Sequence, residues 1–298
     1  MVLFFVEYFI LVVGILLCVA FFSLFERQVL SFFQFRLGPN KVGLVGILQP
    51  IGDAVKLILK QSQSPVHFSK AAFYLFPILF FMLTLMIWPS IDFPFYPFFW
   101  VLGGLWMIFL LSVSVYGVIL TGWYSSSKYA LLGAMRSISQ SISYEIILTT
   151  SLFCVFLVAG SLSMRLIKLY QMPFWFILCM APIFLFSLIC FLAEAGRSPY
   201  DLAEGESEIV SGYSVEYGGI QYTCLFLSEN ISLVYSSVAL GVLFMAGACA
   251  EKLLVILFLV VSIRACVPRF RYDEVMKSCW VDILPYALIF LLLETLMY

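Results

Sequence analysis

The chain has 298 residues, 63% of them hydrophobic and only 11% charged, with a formal net charge of −1. Soluble domains carry roughly 25% charged residues, so the composition excludes a soluble fold and specifies an integral membrane protein, one membrane domain over residues 1–298. The near-neutral balance gives no ground for nucleic-acid binding. The eight cysteines form no CxxC pair and suit small apolar filler inside helices.

The N-terminus is apolar from Val2 onward and has neither the basic start and cleavage site of a signal peptide nor the Arg- and Ser-rich character of a transit peptide. Entry into the membrane without a removed presequence is expected. Apolar runs predict eight spans, at 3–25, 71–91, 98–121, 135–160, 173–193, 220–242, 252–270 and 281–297. Each is expected to be a helix, because lipid offers no partner to an open strand edge. The expected class is therefore an all-α integral membrane protein with eight transmembrane helices. The seventh run is the shortest, with Arg264 and Pro268 close behind it. Eight spans divide the 16 Lys and Arg residues 13 to 3, with only Arg165, Lys168 and Lys252 on the poorer side. That bias places the richer side in the cytoplasm or matrix.

After the first span come Glu26-Arg27, Gln34, Arg36 and a Gly38-Pro39-Asn40 turn. These basic residues suit interface anchoring as well as they suit a site. The stretch 42–61 is too short to span. Pro50 fits a helix start. Asp53, Lys56 and Lys60 then share one face, with Ile51, Val55, Ile58 and Leu59 largely elsewhere. This predicts an amphipathic helix lying at the membrane interface, either a plain anchor or a floor for an apolar ligand entering from the bilayer. His67 is the one histidine, which excludes a histidine-rich metal or haem site.

Glu145 falls inside the fourth span, in the polar run SISQSISYE, and Glu229 inside the sixth, beside Asn230. A carboxylate in mid-membrane costs roughly 2.5–3.5 kcal/mol on insertion scales and turns toward a bundle interior or water. Between them, EAGRSPYDLAEGESEIVSGYSVEY (194–217) packs six acids, Glu194, Asp201, Glu204, Glu206, Glu208 and Glu216, against one base, Arg197. That is about a third of the chain's 17 acids. Like charges so close raise each other's pKa, which suits proton or cation handling or a grip on a basic partner. Ser198-Pro199-Tyr200-Asp201 has the residues of a helix start; a helix there would place Asp201, Glu204 and Glu208 on one face. Helix–helix hydrogen bonding, or a solvated acidic loop, would explain the same residues less fully. The chain lacks GxGxxG, GxxxxGK[ST], HExxH and CxxC, so no nicotinamide, flavin, nucleotide or iron–sulfur site is proposed on it. Composition alone favours a freestanding proton- or cation-coupled transporter, although no inverted repeat is visible.

Four runs are more specific: ERQVLSFFQFRLGPNKVGLVGILQPIGDAVKLILKQ (26–61), YALLGAMRSISQSISYE (129–145), AEAGRSPYDLAEGESEIVSGYSVEY (193–217) and PRFRYD (268–273). In this order they resemble the subunit 1 family of NADH:ubiquinone oxidoreductase, respiratory complex I. The resemblance implies a heel subunit of the membrane arm in the mitochondrial inner membrane, multi-pass and organelle-encoded. It implies that the subunit docks the peripheral redox arm and forms the membrane part of the ubiquinone tunnel. Ubiquinone would be substrate, lipids would be neighbours, and electrons would come from an iron–sulfur cluster in another subunit. The partners would be quinone-site subunits of the peripheral arm and adjacent membrane-arm subunits. By matched position, Arg27, Arg36, Asp53 and Arg197 would serve the tunnel or junction. Glu145, Glu194, Asp201, Glu204, Glu206, Glu208, Glu216 and Glu229 would form an acidic path toward the proton-pumping subunits. The chain departs from the family's usual residues at Gln61 (Glu), Gly196 (Asn), Tyr200 (Phe) and Tyr213 (Phe). The membrane subunit of an energy-converting hydrogenase is a related alternative.

Overall fold

The computed structural model describes residues 2–61, 69–92, 101–202, 212–247 and 250–297. Among them every regular element is helical and none is a strand. The order is α1 (Val2–Phe33), α2 (Gln49–Leu59), α3 (Lys70–Met86), α4 (Gly103–Tyr124), α5 (Lys128–Ala159), α6 (Met164–Tyr170), α7 (Phe176–Cys179), α8 (Ala181–Glu194), α9 (Gly219–Phe244), α10 (Ala250–Cys266) and α11 (Tyr272–Met297). A π-helical turn at Ser278–Ile283 interrupts α11.

Element ends follow local chemistry more than the limits of the apolar runs. Helix α1 continues to Phe33, two turns beyond its expected end near residue 25. Helix α5 begins at Lys128 rather than 135, because Ser127 caps it by accepting from the Ala130 N–H at 3.3 Å. It stops at Gly160, whose φ of 59° places it in the left-handed region that ends helices. The fifth expected span is broken: Met180 leaves helical geometry and Pro182, which has no N–H to donate, opens α8. Residues 198–202 are non-helical, with the Tyr200 N–H donating to the Arg197 carbonyl at 2.9 Å, and the expected helical face of Asp201, Glu204 and Glu208 continues outside the described residues. Among the described residues six helices, α1, α4, α5, α9, α11 and α3 with its following turn, are long and apolar enough to cross a membrane. Helices α8 and α10, of 14 and 17 residues, fall below the roughly 20 that a bilayer core requires.

Helix α9 is the hub. It packs against α1, α2, α3, α8 and α10, and 78% of its most apolar stretch is buried. Helix α5 is the second centre, with 56% buried, and holds α4, α8 and α11 around it. The other four long spans are only 11–39% buried and form the rim. Helix α8 touches both centres and so lies where they meet.

The turn Gly212–Ser214, just before α9, sits directly on α5. Gly133 permits this: a Cβ there would lie 2.9 Å from the Gly212 Cα. Gly133→Ala is expected to overpack this seat at about 1–3 kcal/mol, lowering the thermal midpoint of the solubilised protein. Gly14→Ala, inside α1 where nothing lies within 4 Å, should not lower the midpoint, since Ala is the better helix former.

Candidate functional site

The two carboxylates expected within spans, Glu145 and Glu229, and Glu194 at the end of the fifth converge where α5, α8 and α9 meet. Glu194, the last residue of α8, lines two separate cavities. One, of about 90 Å³, it shares with Glu229 of α9, Tyr213, Gln140, Ser137, Ser141 and Ser232. The other, of about 20 Å³, it shares with Glu145 and Tyr144 of α5, Ser141 and Cys190. A water needs roughly 10–15 Å³ of such space and a few polar partners. The first cavity therefore has room for several waters and the second for one. Glu194 lines both, as does Ser141; Glu194 is the carboxyl common to the two, with Glu229 in the first and Glu145 in the second.

Buried polar groups fix the chain leading into the acidic segment. Gln140 of α5 donates from Nε2 to the carbonyls of Ala193 (3.0 Å) and Tyr200 (2.7 Å). Arg197 donates to Asn230 Oδ1 at 2.9 Å, which ties the segment to the residue after Glu229. Asp201 pairs with Arg269 at 2.8 Å, and the Phe270 N–H donates to the Pro199 carbonyl. The Tyr200 ring sits between Tyr144 and Phe270. Burial raises the Tyr200 phenol above its usual pKa, with a smaller contribution from Cys190.

The chain leaving the segment is held as firmly. Tyr213 donates its phenolic hydrogen to Glu229. Tyr217 donates to the Thr121 carbonyl at 2.9 Å and stacks on Phe73 at 4.4 Å between centroids. Burial pushes the Tyr217 phenol well above its usual range, so it stays protonated and remains a donor. Glu216 lies on this turn, partly exposed, and lines neither cavity; nor does Asp201. Glu204, Glu206 and Glu208 lie outside the described residues.

The second cluster gathers at the C-terminal end of α1. Arg27 pairs with Asp53 of α2 at 2.6 Å, and Gln49 donates to the other oxygen of Asp53 at 3.0 Å. One residue earlier on α1, Glu26 pairs with Arg264 of α10. Arg36 is not drawn in: it is exposed and donates to Gln34, two residues away, at 2.7 Å. Ile51, Val55, Ile58 and Leu59 of α2 are exposed, as are Phe35, Leu37, Leu44, Val45 and Ile47 before it. A further apolar cavity of about 580 Å³ lies between α1, α9 and α10, lined by Ile10, Leu11, Gly14, Val234 and Leu253, with Glu7. It occupies the opposite half of α1 from Arg27. Among the described residues no group of three or more His, Cys, Asp or Glu could hold a metal ion.

The family model described as NADH dehydrogenase matches residues 6–295. NADH-ubiquinone oxidoreductase chain 1 of Mytilus edulis is 41% identical over 276 residues, covering 91% of this chain and 90% of its own. The chain of the same name from Dictyostelium citrinum is 38% identical over 288 residues, covering 94% and 89%. That of Aedes aegypti is 39% identical over 287 residues, covering 95% and 92%. The chain belongs to the NADH-ubiquinone oxidoreductase chain 1 family.

Membership in the chain 1 family agrees with the resemblance drawn from the four sequence runs. Sequence reasoning did not find three contacts at the site: Gln140 with Ala193 and Tyr200, Tyr213 with Glu229, and Glu26 with Arg264. Gln140 carried a signal, since an amide inside an apolar span needs partners. The other two join residues 16 and 238 positions apart with no periodicity linking them. Gln140→Met keeps the length but removes two hydrogen bonds worth about 0.5–1.5 kcal/mol each. The expected result is a lower thermal midpoint and faster proteolysis within 195–202. A wild-type midpoint and cleavage rate would mean that both carbonyls find other donors.

Proposed function

We propose that this chain is the heel subunit of the membrane arm of NADH:ubiquinone oxidoreductase, with two tasks. It walls the membrane part of a ubiquinone tunnel, and it carries the acidic path that couples quinone reduction to proton translocation. The observation that carries the second task is the position of Glu194, which opens on the Glu229 cavity and the Glu145 cavity at once. Carboxyls, serine hydroxyls and space for water alternate there, which is what a proton needs to move by short hops.

The tunnel reading rests on the group α1, α2 and α9. Arg27 and Asp53 tie α2 across the end of α1, and α2 packs on α9. The apolar residues that α2 leaves exposed suit lipid and a quinone tail, and the Arg27–Asp53–Gln49 cluster supplies polar groups near a headgroup. Helix α2 thus acts as the interfacial amphipathic helix. Helices α8 and α10 complete eight passes, α8 with the help of α7. The exposed apolar residues between Phe35 and Leu48 form part of the surface on which the peripheral arm docks, on the matrix side of the inner membrane. Val45 supports this, because its φ of 55° is costly for a β-branched residue and such backbones cluster at functional sites.

In this reading electrons come from a carrier on a partner subunit. Quinone takes two electrons and two protons to become quinol, and Arg197, Asp201 and the acids that follow respond to the change of charge at that end of the bundle. Glu229, Glu194 and Glu145 then pass protons in that order, each within one cavity of the next. The tests separate the two tasks. An azido-ubiquinone photolabel on the native complex should mark peptides within 26–61 or 194–230 and be competed by excess quinone. Label confined to neighbouring subunits would remove Arg27, Arg36 and Asp53 from the tunnel. Glu194→Gln should slow quinone-linked turnover roughly tenfold or more, at the lower end of what a positioned proton-transfer group contributes. Its NADH oxidation by an artificial acceptor should stay at wild type. Unchanged quinone turnover in the assembled variant would end the acidic-path reading.

A further inference from the structure

Glu229 has to be aimed as well as present. It has rotatable bonds, and its cavity is wide enough to let the carboxyl turn. The Tyr213 hydroxyl donates to Glu229 Oε1, Tyr213 is itself buried, and both side chains line the cavity that Glu194 shares. Tyr213 stands on the Gly212–Ser214 turn, the first described residues after the acidic segment, and that turn is seated on α5 over Gly133. The phenol therefore connects the exit of the acidic segment to a carboxyl of the path. Arg197 approaches the same region from the entrance, through Asn230, the residue after Glu229. Glu194 lines the same cavity as Glu229. Tyr213 both donates a hydrogen bond to the Glu229 carboxyl and sits on the turn seated on α5.

We infer that Tyr213 is a positioning residue of the acidic path: its hydroxyl holds the Glu229 carboxyl in place within the cavity that Glu194 also lines. The inference rests on the acidic-path reading and adds a residue to it.

The test is a double-mutant cycle in the assembled membrane complex with Tyr213→Phe, Glu229→Gln and both together. Tyr213→Phe removes one oxygen and keeps the ring. It should lower the maximal rate of quinone reduction by about threefold, a size typical of contacting pairs. The KM for quinone and the rate with an artificial electron acceptor should stay at wild type. In the Glu229→Gln background the same change should add nothing. A wild-type rate for Tyr213→Phe alongside a slow Glu229→Gln overturns the role of Tyr213 and leaves the acidic path standing. Wild-type rates for both single variants overturn the acidic path and with it this inference. Additive losses, or failure of Tyr213→Phe to assemble, assign the hydroxyl to structure alone and also overturn the proposal.

Discussion

An ionisable carboxyl in hydrocarbon must find either water or the inside of a bundle, and the arrangement of the inner helices follows from that. At roughly 2.5–3.5 kcal/mol for each misplaced carboxylate, Glu145, Glu194 and Glu229 would together oppose insertion strongly if they faced lipid. They lie on α5, α8 and α9, with α5 and α9 the most enclosed of the long spans. The helices without a central carboxyl, α1, α3 and α4, form the rim and expose much of their apolar surface. The interior of the bundle is polar along one seam, and the seam determines which helices must be central.

Holding that seam together requires polar groups that are themselves satisfied. Gln140 and Gln171 illustrate two versions of this. Gln140 gives both amide hydrogens to the carbonyls of the chain leaving α8. Gln171 gives its hydrogens to Val242 and Leu243 and accepts from the Ala246 N–H, closing the end of α9. Each is buried and linked to segments distant in sequence.

The ion pairs at the basic end work differently. Arg27–Asp53 and Arg269–Asp201 are partly exposed, and such pairs are typically worth about 0–1 kcal/mol. Their value is in register: each joins elements far apart in the chain, α1 to α2 and the turn after α8 to the start of α11. Glu26–Arg264 does the same for α1 and α10 at a more enclosed position. Adjacent residues 26 and 27 thus send α1 to two different partners, which arranges α2 and α10 around its end.

The sequence by itself determined the class of protein, the approximate place of each apolar helix, and the acids that had to be accounted for. Hydropathy is a local property, and a backbone in lipid has few choices besides a helix. The four specific runs also indicated the family, since they record chemistry as well as hydrophobicity. Element ends were less legible. The extra turns of α1, the early start of α5 and the break at Met180 depend on caps and a proline that an apolar-run count ignores. The tertiary structure alone decided that Glu194 shares one cavity with Glu145 and another with Glu229, that Tyr213 reaches Glu229, and that Arg36 stays apart while Arg27 finds Asp53. Those facts depend on how helices rotate and pack against partners tens to hundreds of residues away, and no spacing within one helix encodes that rotation.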